Sequence, residues 1–124
     1  MKTQILIADD HGATRRIVGE LLKSHDGWEV CAAVENGQQA LLKATEFRPD
    51  IIILDLAMPV MDGLQAAREI AKVLPSVSVL VYTLHDASWI EMEAKRAGVR
   101  RIISKTQSAE ALISAVEQLL KKEV

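Results

Sequence analysis

The stretch IIILD at residues 51–55 is the part of the sequence that decides the fold. Its four consecutive apolar residues, three of them isoleucine, are typical of a strand that is buried on both faces. Asp55 follows at once, so a carboxylate is expected where this strand leaves the sheet. The stretch therefore predicts a sheet that is covered on both sides.

Four more runs of the same kind lie on either side of it along the chain. The run at 28–34 is the weakest, because polar or small residues interrupt it. The runs are QILIA at 4–8, WEVCAAV at 28–34, VSVLVYT at 77–83 and RIIS at 101–104. Together with residues 51–55 they predict five strands.

The segments between these strands have apolar residues at helical spacing. The thinnest apolar stripe, Ile90, Ala94 and Ala97, lies in the segment 86–97. Helix starts are predicted at Asn36, Asp62 and Ser88, and helix ends before Pro49 and Pro75.

Five strands that alternate with five helices predict an α/β fold of the (βα)5 type. Crossover helices require parallel strands and right-handed connections, which leaves few topologies. We expect a flavodoxin-like doubly wound parallel sheet with the strand order 2-1-3-4-5.

Length and composition agree with one domain over residues 1–124, since the chain is 49% hydrophobic and 26% charged. The net charge of −2 provides no basic field for nucleic acid or an anionic membrane. Cys31 has no second cysteine for a disulfide, and we interpret it as a small buried residue of the second strand. Since no signal-peptide core or membrane span opens the sequence, we expect a cytoplasmic protein.

Polar side chains follow the predicted strands at the edge where ligands bind in open α/β sheets. Asp9 and Asp10 follow the first strand, Asp55 the third, Thr83 the fourth and Lys105 the fifth. Three crowded carboxylates repel each other by about 4 kcal/mol per pair at roughly 4 Å in an effective dielectric near 20. A divalent cation is therefore expected among them.

Oxygen ligands with few protein donors favour Mg²⁺. We expect Asp10 and Asp55 to be direct ligands, Asp9 to be a ligand through water, and the carbonyl of Ala57 to be the third protein oxygen. Asp55 could then attack phosphorus while Lys105 and the cation neutralise the phosphoryl oxygens. Thr83 would donate a hydrogen bond to the new phosphoryl group.

From Gln4 to Leu120 the sequence resembles the receiver (CheY-like) domain of two-component response regulators. The resemblance rests on IADDH at 7–11, IILDLAMPVMDG at 52–63, Thr83, and AGVRRIISK at 97–105. The segment TLHDAS at 83–88, together with the last of these motifs, is similar to NarL/LuxR-type regulators that carry a helix-turn-helix domain.

The resemblance implies that Asp55 accepts a phosphoryl group from a sensor histidine kinase or phosphotransfer protein. The domain is then not an enzyme beyond promoting its own phosphorylation and dephosphorylation. Phosphorylation would shift an equilibrium between two conformations. The output would lie in a C-terminal domain or a separate partner, with transcription as the regulated process.

Four positions near the site are expected to modulate it. Ile102 stands where the family usually has an aromatic switch residue, and Leu84 is bulkier than the usual residue after Thr83. Ala57 and His85 flank the site and are expected to affect the lifetime of the phosphoryl group. The three histidines, His11, His25 and His85, are scattered along the chain and are not expected to bind a metal.

The basic residues Lys95, Arg96, Arg100 and Arg101 are interpreted as a solvated face, with a docking surface as the lesser hypothesis. In receivers the fourth helix, fifth strand and fifth helix form such a face, through which a homodimer could assemble.

Three other functions are less well supported by the sequence. A haloacid-dehalogenase-type phosphatase needs an aspartate two residues after the nucleophile, where this chain has Ala57. A flavin or dinucleotide carrier needs a phosphate-binding loop after the first strand, where this chain has carboxylates. The nearest alternative is a receiver-like interaction module that does not depend on phosphorylation, because Ile102 and Leu84 are atypical.

Overall fold

Five parallel strands form the centre of the computed structural model, which describes residues 2–84 and 88–121. The strand order is β2-β1-β3-β4-β5, which confirms the predicted topology. Each predicted strand is present, with ends that differ from the prediction by a residue at most. The strands are β1 (Thr3–Ala8), β2 (Trp28–Val34), β3 (Ile51–Leu54), β4 (Ser78–Thr83) and β5 (Arg101–Ser104).

In the described part of the chain, five helices connect and follow the strands, as the apolar stripes predicted. They are α1 (Gly12–Lys23), α2 (Gly37–Phe47), α3 (Gly63–Val73), α4 (Ser88–Arg96) and α5 (Ala109–Lys121).

The predicted helix starts at Asn36 and Asp62 have a clear chemical basis. Asn36 Oδ1 accepts a hydrogen bond from the backbone N–H of Gln39 (2.8 Å), and Asp62 Oδ1 accepts one from Gln65 (2.9 Å). These side chains cap α2 and α3 by satisfying amides that have no partner inside the helix. The helix α4 is described from Ser88 onward, and the residues just before it lie outside the described chain.

The side chains of each central strand divide between two cores, one on each face of the sheet. In β3, Ile51 and Ile53 pack on the side of α1 and α5, whereas Ile52 and Leu54 pack on the side of α2, α3 and α4. All four are at most 2% exposed. Because burying one such side chain stabilises a fold by roughly 1.5–3 kcal/mol, β3 is a major source of stability.

The prediction that Cys31 is a buried residue of the second strand is right about the strand and wrong about the burial. Cys31 lies in β2 as expected, but it is only partly buried. The pairing of β1 with β2 shifts between Ile5 and Leu6, which are paired with Val30 and Ala32, so that the register skips Cys31. An edge strand with such a bulge does not enclose each of its side chains.

Within residues 2–84 and 88–121, no helix is both long enough and apolar enough to cross a membrane.

Candidate functional site

The first two site carboxylates are placed by adjacent strands. Asp9 follows β1 and Asp55 follows β3, and the last residues of these strands, Ala8 and Leu54, are paired. The ladder continues one step further, since the backbone N–H of Asp55 donates to the carbonyl of Ala8 (2.9 Å). Asp9 and Asp55 therefore lie side by side at the carboxyl edge of the sheet, and both side chains are about 5% exposed.

Lys105 joins these two carboxylates. Its Nζ donates to Oδ2 of Asp9 (2.7 Å) and to Oδ2 of Asp55 (3.2 Å). The backbone N–H of Lys105 donates to the carbonyl of Thr83 (2.8 Å), which places the lysine at the end of the β4–β5 pair. The structure thus brings together three residues that the sequence places 46 to 96 positions apart.

The charge state of Lys105 follows from this environment. Burial by itself would lower the pKa of the ammonium group, but its hydrogen bond to Asp9 and the charges of Asp55 and Asp9 outweigh that effect. The pKa of Lys105 is therefore raised above its ordinary value. A fixed positive charge at this edge is available to neutralise an anionic group.

Asp10 completes the acidic cluster with a more exposed side chain, 34% accessible to solvent. Potential ligand atoms of Asp9, Asp10, His11 and Asp55 all lie within 4.8 Å of one another. Three carboxylates supply the hard oxygen donors that Mg²⁺ prefers. The residues present therefore fit a magnesium site.

His11 is a member of this cluster that the sequence reasoning set aside. Its backbone N–H donates to Oδ1 of Asp9 (2.9 Å), and its Nδ1 lies 3.1 Å from Oδ1 of Asp10. The sequence signal that could have identified His11 is its position directly after Asp10. Only the conformation of the turn, however, directs the ring toward the carboxylates. Arg15 was also missed; its guanidinium donates to the carbonyl of Asp9 (2.7 Å) from the first turn of α1.

The segment that follows Asp55 is held close to the site by Gly63. The backbone N–H of Gly63 donates to the carbonyl of Leu56 (2.9 Å), and the N–H of Leu56 donates to Oδ1 of Asp55 (2.8 Å). A Cβ added at Gly63 would lie 2.2 Å from the carbonyl oxygen of Asp55. A glycine is therefore required where α3 begins, since any side chain would collide with the backbone of the candidate acceptor.

The remaining predicted site residues differ in how the structure places them. Thr83 is completely buried at the end of β4, and Leu84 after it is 61% exposed. Ala57 is exposed, and Ile102 is partly buried against the core on the side of α2, α3 and α4. His85 lies outside the described residues.

Known proteins with similar sequences and structures identify the family to which this chain belongs. The sequence profile of the family described as response regulator receiver domain matches residues 5–117. The transcriptional regulatory protein LnrK of Bacillus subtilis is 36% identical over 113 residues, which are 91% of this chain and 51% of LnrK. A protein-glutamate methylesterase/protein-glutamine glutaminase of Aliivibrio fischeri is 37% identical over 106 residues, which are 85% of this chain and 28% of that enzyme.

Among solved structures, a LuxR-family two-component response regulator from Aurantimonas sp. SI85-9A1 has a TM-score of 0.93 and 27% sequence identity. The similarity covers 98% of this chain and 87% of that one. The chain thus spans about half the length of the curated transcriptional regulator it matches, and a smaller part of the methylesterase.

Proposed function

This chain belongs to the family of response regulator receiver domains, and from that premise we propose that Asp55 is its phosphoacceptor. The donor in this proposal is the phosphohistidine of a sensor kinase or phosphotransfer protein. The observation that carries the proposal is the pair of hydrogen bonds from Lys105 to Asp9 and Asp55 at the carboxyl edge of the sheet.

In the proposed transfer, a carboxylate oxygen of Asp55 forms a bond to phosphorus. The bond between phosphorus and the imidazole nitrogen of the donor breaks, and its electron pair stays with that nitrogen. Asp55 becomes an acyl phosphate. The ammonium of Lys105 compensates negative charge on the transferred group, and the hydroxyl of Thr83 donates to it.

Mg²⁺ would be held directly by Asp10, Asp55 and the carbonyl of Ala57, and through a water molecule by Asp9. The bound cation supplies positive charge that offsets repulsion between the carboxylates and the incoming phosphoryl oxygens. Lys105 cannot serve this purpose alone, because one ammonium faces two buried carboxylates before the phosphoryl group arrives.

The proposal extends to the protein as a whole. Residues 1–124 would act as one receiver domain in the cytoplasm, with no catalysis beyond its own phosphorylation and dephosphorylation. The relatives are of different kinds, since one is named a transcriptional regulatory protein and another a protein-glutamate methylesterase. For this chain we propose transcription as the output, exerted through a C-terminal domain or a separate partner, with Leu84, Ile102, Ala57 and His85 tuning the site.

Exposed residues of α4 support a homodimer through α4, β5 and α5 as part of this proposal. Trp89 is 63% exposed and Met92 is 59% exposed. They are three residues apart and therefore lie on one side of the helix. Lys95 and Arg96 continue that side, so an apolar patch has a basic border.

The phosphorylation-independent module is not favoured. Its basis is the atypical pair Ile102 and Leu84, neither of which contacts the ion-paired cluster. The cluster of Asp9, Asp10 and Asp55 with Lys105 supports phosphoryl transfer instead.

The proposal is tested by the intact mass of the protein after incubation with acetyl phosphate, with and without Mg²⁺. We expect an added mass of one phosphoryl group that depends on Mg²⁺ and disappears in Asp55→Asn. The matched control is Asp50→Asn, because Asp50 is an exposed carboxylate whose Oδ2 accepts the backbone N–H of Gln4 at the other end of β3.

An adduct that persists in Asp55→Asn, or that is lost in Asp50→Asn, would contradict the assignment of the acceptor. Failure of the native chain both to form the adduct and to bind beryllofluoride would favour the phosphorylation-independent module instead.

A further inference from the structure

The imidazole of His11 faces two carboxylates of the acidic cluster. Its Nδ1 lies 3.1 Å from Oδ1 of Asp10 and 3.3 Å from Oδ1 of Asp9. The same oxygen of Asp9 accepts the backbone N–H of His11, so the main chain of this residue is held at the cluster as well. His11 thus presents a nitrogen donor within a set of oxygen donors.

We propose that His11 is a metal ligand that sets the cation selectivity of this site, favouring Zn²⁺ relative to Mg²⁺. The inference rests on the proposed function, because it assumes that the cluster of Asp9, Asp10 and Asp55 binds a divalent cation. It goes further in assigning a role to a residue that neither phosphoryl transfer nor magnesium binding requires.

The distances between donors support this role. Two ligands that are each about 2.0–2.1 Å from a tetrahedral Zn²⁺ are roughly 3.3 Å apart. The separations of Nδ1 from the carboxylate oxygens of Asp10 and Asp9, 3.1 and 3.3 Å, are of this size. His11 is therefore already spaced from Asp10 and from Asp9 as two ligands of one small cation are.

The chemistry of the donors distinguishes the two cations. Imidazole nitrogen is a preferred ligand of Zn²⁺, whereas Mg²⁺ takes carboxylate oxygens and keeps several waters. Loss of His11 therefore removes one bond from a zinc complex and leaves the oxygen donors for magnesium intact.

A purely positioning role predicts a different result. If Nδ1–H only donated to Asp10 and oriented its carboxylate, loss of the ring would lower the affinities for Zn²⁺ and Mg²⁺ by the same factor. The ratio of the two affinities therefore separates a ligand from a positioning residue. The His11 side chain is 65% exposed, so its removal leaves the two cores unchanged.

The experiment measures the dissociation constants of Zn²⁺ and of Mg²⁺ by calorimetry for the native chain, His11→Ala and His25→Ala. His25 is the matched control, because its Nε2 lies 3.2 Å from Glu117 and could bind Zn²⁺ weakly away from the site. In His11→Ala we expect the Zn²⁺ constant to rise at least about tenfold. The Mg²⁺ constant should change by less than about twofold, and His25→Ala should change neither.

Nitrogen NMR of the histidine rings gives an independent readout, since Zn²⁺ but not Mg²⁺ should shift the Nδ1 resonance of His11. The inference is overturned if His11→Ala lowers the affinities for both cations by the same factor, or if it changes neither affinity. If the native chain binds Mg²⁺ and forms the phosphoryl adduct while the affinity ratio stays constant, only the role of His11 fails. If it binds neither cation, the magnesium site fails as well.

Discussion

At the residue scale, the contacts of Lys105 predict a coupling between stability and Mg²⁺. Lys105→Met keeps the length of the side chain but leaves Asp9 and Asp55 buried without their ammonium partner. We expect a loss of about 2–4 kcal/mol in the free energy of unfolding, because breaking a buried ion pair leaves uncompensated charge. Urea unfolding should show that Mg²⁺ restores more of the stability in the variant than in the native chain.

Lys43→Met is the control for that measurement. Lys43 pairs with Glu46 on the surface of α2, where both side chains are about half exposed, so its loss should cost less than about 0.5 kcal/mol. Because the pKa of Lys105 is raised, its contribution is fully present below the ordinary pKa of lysine and is lost only as pH rises through the folded value. An equal loss in the two variants would contradict the role of Lys105.

A second prediction at this scale concerns Cys31. Burial is the main cause that raises the pKa of its thiol, and the Sγ–H donates to the carbonyl of Ile5 (3.5 Å). Since the thiolate is the reactive form, iodoacetamide should alkylate Cys31 several-fold more slowly in the folded protein than in urea at the same pH. Equal rates, followed by intact mass, would show that the bulge in β2 leaves the thiol open to reagents.

At the element scale, the junction between β3 and α3 is the most tightly constrained. Gly63→Ala places a methyl group against the backbone of Asp55 and Leu56, with nearest distances of 2.2 and 2.7 Å. We expect a loss of about 2–3 kcal/mol and a weaker phosphoryl adduct, because the backbone that carries the acceptor must shift. Urea unfolding and intact mass measure the two effects.

Gly19→Ala is the matched control for this prediction. Gly19 lies inside α1, where an added Cβ would find its nearest neighbour, the Cδ1 of Ile7, at an ordinary 3.9 Å. Replacing a helical glycine by alanine stabilises the helix by roughly 0.5–1 kcal/mol. A stabilised Gly63→Ala would show that the start of α3 can move away from Asp55 without strain.

At the scale of the whole molecule, the apolar patch on α4 predicts self-association of the activated form. Trp89→Glu should raise the dissociation constant of the dimer by more than about tenfold, because tryptophan is among the residues that contribute most to binding when an interface buries them. Sedimentation equilibrium in the presence of beryllofluoride and Mg²⁺ measures this constant. Leu42→Glu on α2, where Leu42 is 59% exposed, introduces the same charge elsewhere and should leave the constant unchanged.

Much of the fold could be predicted because its determinants are local. Buried runs such as residues 51–54 specify strands, and the caps Asn36 and Asp62 mark helix starts within three residues of the amides they satisfy. The topology rules for parallel strands then place Asp9, Asp55 and Lys105 at one edge, since each directly follows a strand. That much of the candidate site follows from the sequence.

What the sequence by itself determined is therefore the order of elements and the residues delivered to the carboxyl edge. Only the tertiary structure decided how these side chains meet: that Lys105 donates to Asp9 across 96 positions, that the ring of His11 turns toward Asp10, and that Cys31 is skipped by the strand register. The physical reason is that the periodicity of apolar residues along the sequence indicates only which face of its own strand or helix a residue occupies. Distances between side chains depend on how segments remote in sequence pack together.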